Sequence, residues 1–293
     1  MWSGLSPTDE RHPTRRTAQI WAPQAPHQIE RRETHENGIF SLGTSGPEAL
    51  RVQVILPDLG ARHREPELMD APGLEPAQHV QALKALARVN RISGVAARVW
   101  HDVLILSRER RARGIEKPLR LLDVACGGGD IMVDVARRAG AAGVPVDVQG
   151  CDVNPVALDH ARREAERRGV TAHFLARDVL AEGMPGRYDL VCSSLFHHHL
   201  SNEDAVSLLR AMADAGRAVL VQDLLRGTVG YVLAWSALRL LSRSHIARED
   251  GPRSVRAAFS LPEVRTMAVE AGLAGAVIRR GWPERFVLRW RGS

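Results

Sequence analysis

Apolar and polar residues follow two regular patterns from residue 76 to the end of the chain. Short apolar runs, typical of strands buried on both faces, alternate with longer segments in which apolar residues recur every three or four positions, as in amphipathic helices. Strands are predicted at residues 119–125, 146–153, 171–176, 188–194, 217–225, 275–281 and 285–290. Helices are predicted at residues 76–93, 95–114, 130–140, 155–169, 202–216 and 261–273. Because parallel strands need crossover helices between them, the pattern predicts an α/β fold, with a seven-stranded, mostly parallel sheet covered by helices on both faces.

Residues 1–68 differ from the rest of the chain, because scattered prolines interrupt them and they sustain neither the helical nor the strand period. Such a segment cannot bury a continuous apolar face, so a disordered extension is predicted, with a short strand at residues 50–56 as the one element that its sequence permits. One hypothesis is that Met69 is the natural start of the protein; a native peptide from residues 1–60, found by mass spectrometry, would refute it. The folded domain is predicted to cover residues 75–293.

The stretch "LLDVACGGGD" (residues 121–130) joins the first predicted strand to a helix through three glycines. In an open α/β sheet this junction is where a nucleotide-like ligand binds. A dinucleotide fingerprint would need a third glycine where Met132 stands, counting from Gly127, and Asp130 places a carboxylate where the pyrophosphate would lie. A nicotinamide-dependent oxidoreductase is therefore disfavoured, although it stays as an alternative.

The spacing of Asp123, Ala125, Gly127 and Gly129 resembles the acidic-x-Gly-x-Gly-x-Gly signature of class I S-adenosylmethionine (SAM) dependent methyltransferases, with Ala125 in place of the first glycine. The resemblance extends over most of residues 83–290. It implies a Rossmann-like methyltransferase fold with an antiparallel C-terminal strand, and SAM as the cofactor (EC 2.1.1 class).

The same resemblance implies where SAM binds. Asp152, at the end of the second strand, would accept both ribose hydroxyls, and Asp178, after the third strand, would meet the adenine amino group. Arg91 is a further candidate for the SAM carboxylate. The implied cofactor-binding residues are Arg91, Asp123, Ala125, Cys126, Gly127, Gly129, Asp152, Val153, Asp178, Val179 and Ser193. Plainer interpretations remain open: Asp123 as a cap of local amides, Asp152 as a helix-terminal acid and Asp178 as a solvated loop acid.

Three consecutive histidines, residues 197–199, follow the fourth strand, where the family places the methyl acceptor. His198 and His199 are candidates for a general base acting on a phenol-like hydroxyl. Methyl transfer can also proceed through alignment and desolvation without an essential base. The side chains of adjacent residues are expected to diverge, so no metal site is predicted.

The chain looks most like quinone-biosynthesis and polyketide-tailoring methyltransferases, which implies an acceptor pocket built from the helices of residues 76–114 and a lid insertion at residues 226–260. The apolar stretch at residues 228–241 favours a phenolic or lipid-like small-molecule acceptor, with O-methylation preferred. Peripheral contact with a membrane surface and a plain core helix are alternatives for this stretch.

Composition narrows the partners further. The net charge is +6, but only Lys84 and Lys117 are lysines, so 38 of the 40 basic residues are arginine. This skew indicates a codon bias more than a nucleic-acid surface, and no RNA-binding module is apparent; a non-catalytic SAM-fold or RNA-associated protein is kept as an alternative. Three scattered cysteines favour a reducing cytoplasm, and no apolar run is long enough to predict a transmembrane helix.

Overall fold

The computed structural model of the protein describes residues 57–292. Seven strands form one sheet in the order β3-β2-β1-β4-β5-β7-β6. Strands β1 to β5 run parallel, and β7 is antiparallel to both β5 and β6. The strands are β1 Leu119–Val124, β2 Val146–Asp152, β3 His173–Ala176, β4 Tyr188–Ser194, β5 Gly216–Leu224, β6 Val277–Gly281 and β7 Arg285–Arg291. This arrangement confirms the predicted fold class, including the antiparallel strand at the C-terminal end.

The helices lie between the strands, as the alternating pattern predicted. They are α1 Pro76–Ile92, α2 Val95–Ala112, α3 Asp130–Ala142, α4 Pro155–Arg167, α5 Val179–Glu182, α6 Asn202–Ala215, α7 Thr228–Leu241, α8 His245–Ala257 and α9 Leu261–Glu270. Short 3₁₀ turns occupy Leu68–Asp70 and His197–His199. The predicted lid insertion thus contains two helices, α7 and α8.

Two apolar clusters pack on the two faces of the central strands. Leu122 and Val191 face helix α6, whereas Leu121 and Leu190 share the other cluster with helices α2 and α3. Every residue of β4 is buried. This two-sided burial explains why the strands read as continuous apolar runs in the sequence.

The chain reverses its direction of progress across the sheet at β1, because β2 lies on one side of it and β4 on the other. The crevice at the carboxyl ends of β1 and β4 is therefore the switch point where an open α/β sheet binds its ligand. Asp123 and Ser193 both lie in the last two residues of these neighbouring strands, where Val124 pairs with Ser193.

Residues 57–68, which belong to the predicted N-terminal extension, contact the folded domain through Arg62. The guanidinium of Arg62 donates to the main-chain oxygens of Ala257, His198 and Leu200, and it lies 3.6 Å from the centre of the Phe259 ring. Hydrogen bonds from charged side chains hold this segment, and no periodic apolar face is involved. The pattern of apolar residues therefore could not predict these contacts. The disorder predicted for residues 1–56 and the strand at 50–56 lie outside the described residues.

Within residues 57–292, none of the helices combines the length and the apolar character that crossing a membrane requires.

Candidate functional site

The turn after β1 has a backbone conformation that requires small residues. Ala125, Gly127 and Gly129 have φ values of +55°, +50° and +70°. A Cβ atom on Gly129 would lie 2.7 Å from the Cβ of Ala161 and 2.9 Å from the ring of Phe174. Glycine at this position therefore allows the turn to pack directly against α4 and β3. Ala125 adopts the left-handed conformation despite its Cβ, at a cost of about 1 kcal/mol.

Asp152 joins the end of β2 to this turn. Its carboxylate accepts the backbone N–H of Gly127 at 2.8 Å and that of Asn154 at 2.9 Å. The N-cap of α4 is Asn154, whose side chain accepts from Val156 and Ala157, so Asp152 supports the start of the helix through the N-cap residue and is not itself the cap. Each carboxylate oxygen can accept a second hydrogen bond, which leaves capacity for a vicinal diol. Burial raises the pKa of Asp152.

Four buried polar atoms near the carboxyl ends of the strands find no hydrogen-bond partner among the described residues. They are Asn90 Oδ1, Asp123 Oδ2, Asp178 Oδ2 and Ser193 Oγ. An unpaired buried polar atom costs about 1–3 kcal/mol, so a native structure normally satisfies it, often with a ligand. The donors of a SAM molecule (its ammonium, ribose hydroxyls and adenine amino group) fit this set of mostly acceptor atoms.

Asp178 caps helix α5 with one oxygen and leaves the other unpaired. Its Oδ1 accepts the N–H groups of Leu180 at 3.0 Å and Ala181 at 3.2 Å. The residue is 7% exposed, so it is not a solvated loop acid. The adjacent Val179 is buried at the start of the same helix. Asp178 Oδ2 is thus a fixed acceptor at the site implied for adenine.

Asp123 is buried at the end of β1 and is 1% exposed. Its Oδ1 accepts a hydrogen bond from the thiol of Cys192 at 3.6 Å. No backbone amide of residues 57–292 donates to it, so it does not cap local amides. Burial, followed by the negative charge of Asp130, raises the pKa of Asp123 to about 8. A bound cation would reverse this shift.

The remaining predicted residues lie around the turn. Val153 connects Asp152 to the cap of α4, and Cys126 is buried in the turn itself, where burial raises the pKa of its thiol well above the usual value. Arg91 is exposed and lines an open cleft of about 490 Å³ that also borders Gly128 and Asp130. Its contact with the SAM carboxylate remains a prediction.

Arg285 is a candidate site residue that the sequence did not reveal. It is 2% exposed at the start of β7, and its Nη2 donates to the hydroxyl of Ser93 at 3.1 Å. Its Nε and Nη1 have no partner in the described part of the chain. Burial lowers the pKa of Arg285 to about 10; among the charges around it, Asp223 acts most strongly. Two buried guanidinium nitrogens without partners suit an anionic or electron-rich oxygen.

The histidine run brings two of its rings together. The ring centroids of His198 and His199 are 4.3 Å apart, so the expectation that neighbouring side chains diverge is wrong for this pair. A tight 3₁₀ turn over His197–His199, rather than an extended chain, brings the two tilted rings into contact. His197 is buried separately, and neither of its ring nitrogens has a partner among the described residues.

Both ring nitrogens of His198 face carboxylates. Its Nδ1 lies 2.8 Å from Asp223 Oδ1, and its Nε2 lies 3.5 Å from Glu67 Oε1. Burial alone would lower the pKa of His198, but Asp223 and Glu67 outweigh it and raise the pKa to about 10. Burial lowers the pKa of His199 to about 4. In the unliganded chain the two carboxylates favour the protonated ring, so His198 by itself is a poor proton acceptor.

Helix α7 is not a core helix, so that alternative is wrong. Only Gly230 and Leu238 are buried in it. Val229 is 60% exposed and Leu240 is 84% exposed, and further apolar side chains are exposed along the helix. An exposed apolar surface of this kind suits a greasy ligand or a lipid surface.

Comparison with known proteins identifies the class of the domain at residues 121–218. Residues 121–218 match a family model described as a methyltransferase domain. Demethylmenaquinone methyltransferase from Thermus thermophilus is 38% identical over 108 residues, which cover 36% of this chain and 47% of that protein. Ribosomal protein L11 methyltransferase from Dechloromonas aromatica is 35% identical over 100 residues, covering 34% and 31% respectively. The solved structure of the plantazolicin methyltransferase BpumL in complex with S-adenosylhomocysteine (SAH) matches with a TM-score of 0.53 at 13% identity, covering 74% of this chain and 96% of that one, and this likeness shows the fold.

Residues 121–218 therefore form a class I SAM-dependent methyltransferase domain, and S-adenosyl-L-methionine is its cofactor. Both the resemblance seen in the sequence and the predicted cofactor are confirmed. The matched part of the chain spans less than half the length of the two curated relatives. The match covers the glycine turn, Asp152, Asp178 and β4, whereas α1, α7, α8 and residues 57–75 lie outside it.

Proposed function

We propose that the protein transfers the methyl group of SAM to an oxygen atom of a small phenolic or lipid-like acceptor. One observation carries the cofactor half of this proposal. Buried carboxyl and hydroxyl oxygens without partners gather at the carboxyl ends of the strands, around a glycine turn that Asp152 holds in place. No residue of the described chain satisfies them, and SAM carries the complementary donors.

Each cofactor residue then has a defined role. Asp152 accepts the ribose hydroxyls, and Asp178 Oδ2 accepts the adenine amino group. Asp123 pairs with the methionine ammonium, which compensates for the burial of its carboxylate. The backbone of Gly127 and Gly129 approaches the methionine portion, since neither residue has a side chain in the way.

The acceptor half of the site favours a small molecule over a folded protein. His198 is 4% exposed and Arg285 is 2% exposed, so the broad surface of a folded protein does not reach them, and such buried groups suit a small acceptor better. Exposed apolar side chains on α7 favour an acceptor with a lipid-like part. The relative from Thermus thermophilus acts on demethylmenaquinone by its name, which supports a quinone-like acceptor.

His198 and His199 lie directly after β4, on the acceptor side of the sheet, and we place both among the groups that act on the acceptor oxygen. Most of the rate enhancement comes from alignment and from excluding water, because methyl transfer from a sulfonium needs a nearly linear approach in a dry site. Arg285 lies close to Asp223, which binds His198, and would attract the electron-rich oxygen.

The proposal is tested by incubating the protein with SAM labelled in its methyl group and a panel of phenols, catechols, hydroquinones, amines and thiols, with and without prenyl chains. We expect label in an O-methyl product, with the highest kcat/KM for phenolic acceptors that carry an apolar chain. An inactive Asp152→Asn variant serves as the control for adventitious transfer. Transfer only to a protein or RNA substrate, or to none of these acceptors by a SAM-binding protein, would contradict the proposed function.

A further inference from the structure

Three side chains from two distant parts of the chain point their ligand atoms at one another. The Nε2 atoms of His198 and His199 lie 3.5 Å and 3.8 Å from Oε1 of Glu67. One ligand atom from each residue falls within 4.8 Å of the others. Glu67 is 7% exposed and belongs to the segment that Arg62 fixes over the histidine turn.

The distances suit ligands around a shared ion better than direct hydrogen bonds. Good N–H···O hydrogen bonds have heavy-atom separations of about 2.7–3.2 Å, which is shorter than either contact to Glu67. Two ligands bound at about 2.1 Å from a tetrahedral ion are about 3.4 Å apart. The two separations from Glu67 are therefore close to those of a 2-His-1-carboxylate set.

The other ring nitrogen of each histidine also faces a carboxylate. Nδ1 of His198 lies 2.8 Å from Asp223, and Nδ1 of His199 lies 3.6 Å from Asp70. Metal-binding histidines typically donate this second N–H to a carboxylate, which fixes the tautomer and turns Nε2 toward the ion. Asp223 also accepts the backbone N–H of His198 at 3.0 Å, so one carboxylate holds both the ring and the backbone of this residue.

Glu67 is positioned by helix α8. Its Oε1 accepts the hydroxyl of Ser254, and Asp250 accepts the N–H groups of Leu68 at 2.8 Å and Met69 at 3.0 Å. These bonds fix the backbone next to Glu67 from the outer side. The carboxylate is thereby aimed at the histidines without an arginine or lysine contact of its own among the described ion pairs.

We infer that Glu67, His198 and His199 bind one divalent transition-metal ion on the acceptor side of the methyltransferase site. Imidazole and carboxylate ligands suit ions such as Zn²⁺, Co²⁺ or Mn²⁺. Three protein ligands leave a coordination position for water or for the acceptor oxygen. The role of this ion in methyl transfer rests on the proposed function.

An acceptor hydroxyl bound to the ion would lose its proton to solvent more readily, because the ion lowers the pKa of bound oxygen. The oxygen lone pair then forms the O–CH₃ bond while the S–CH₃ bond breaks. The electron pair of that bond stays on sulfur, and the sulfonium becomes the neutral thioether of SAH. This chemistry requires SAM and the acceptor only, with the ion unchanged.

The experiment is a titration of Zn²⁺ and Co²⁺ into the chelator-treated full chain, followed by calorimetry and, for Co²⁺, by visible absorption. We expect about one ion per chain, with affinity reduced at least about tenfold, roughly 1.4 kcal/mol, in Glu67→Gln and in His199→Gln. His101→Gln is the matched control, because His101 is an exposed histidine outside the cluster, and it should leave the tight site unchanged. SAH binding is measured on every variant to show that the fold is retained.

Absence of a tight site in the parent chain, or equal affinity in Glu67→Gln, His199→Gln and the control, would overturn the inference. In that case the cluster would be a hydrogen-bonded charge network only. If metal-free protein still binds SAH and methylates its acceptor at the full rate, the role of the ion fails while the proposed function stands. If SAH does not bind, the proposed function fails whatever the metal result.

Discussion

The carboxylate of Asp152 accepts the backbone N–H of Gly127 at 2.8 Å, which fixes the glycine turn and the end of β2 relative to each other. In the proposed cofactor site the acid that binds the ribose is therefore also a support for the turn that meets the methionine portion. A second bond from Asn154, at 2.9 Å, links the same carboxylate to the start of α4. Residues that are far apart in sequence thus form one rigid ligand-binding unit.

Gly129→Ala should damage both stability and cofactor binding. The new Cβ would lie 2.7 Å from Ala161 and 2.9 Å from the Phe174 ring, at a φ of +70° that alanine disfavours. We expect a loss of about 1–3 kcal/mol in the free energy of unfolding and no measurable SAH binding. Denaturant unfolding and calorimetry measure the two effects.

Gly140→Ala is the matched control for that substitution, because Gly140 lies inside α3 and a Cβ atom added there would meet nothing within 4 Å. Alanine should stabilise this helix by about 0.5–1 kcal/mol and leave SAH binding unchanged. A Gly129→Ala protein that is as stable as the control would show that the close packing of the turn is unimportant.

Asp123→Asn should have opposite effects on stability and on cofactor binding. The pKa of Asp123 is raised from 3.8 to about 8, so its contribution to stability is fully present below about pH 4 and is lost as the pH rises through about 8. Asparagine has no charge to bury, so the variant does not lose this stability as the pH rises. The unfolding temperature of the cofactor-free variant should therefore exceed that of the parent by a few degrees at about pH 8.5.

The same carboxylate predicts the pH dependence of binding. SAH carries an ammonium group that pairs with ionised Asp123, so the affinity of the parent protein should rise roughly tenfold between about pH 6.5 and pH 8. In Asp123→Asn the affinity should be weaker and nearly independent of pH over this range. Calorimetric titrations at both pH values measure this; a flat profile for the parent protein would argue against an ammonium partner at Asp123.

Arg285→Met should separate acceptor binding from cofactor binding. Removing the two unpaired guanidinium nitrogens takes away the proposed attraction for the acceptor oxygen. KM for the acceptor should therefore rise at least about tenfold, roughly 1.4 kcal/mol, while the Kd for SAH changes less than twofold. Arg285→Lys keeps the charge but loses the fork of donors, and it should restore only part of the affinity. A large loss of SAH affinity in either variant would instead place Arg285 at the cofactor carboxylate.

The strands and the glycine turn could be predicted from the sequence because local physics decides them. Buried parallel strands such as β4 need apolar residues at most positions, and the turn needs glycine where Gly129 packs on Phe174. Asp152, at the end of β2, and Asp178, after β3, followed from the resemblance to the methyltransferase signature, and parallel strands bring their carboxyl ends to one edge of the sheet.

The acceptor side could not be predicted in the same way, because contacts between distant segments build it. Glu67 and His198 are 131 positions apart (198 minus 67), and neither an apolar period nor a motif links them. Arg285 is one of 38 arginines, and nothing in the sequence around it indicates that its side chain is buried. Side chains fixed by ion pairs and main-chain oxygens leave no periodic signal in the sequence, so only the folded chain shows them.

The most direct test of the proposed cofactor site is calorimetric titration of SAH into the parent protein, Asp152→Asn and Asp147→Asn. Asp147 lies at the other end of β2 and serves as the matched control. We expect micromolar binding to the parent and the control, and an affinity at least about tenfold weaker, roughly 1.4 kcal/mol, for Asp152→Asn. A folded parent protein that does not bind SAH, or an Asp152→Asn variant that binds as tightly as the control, would contradict the proposed cofactor site.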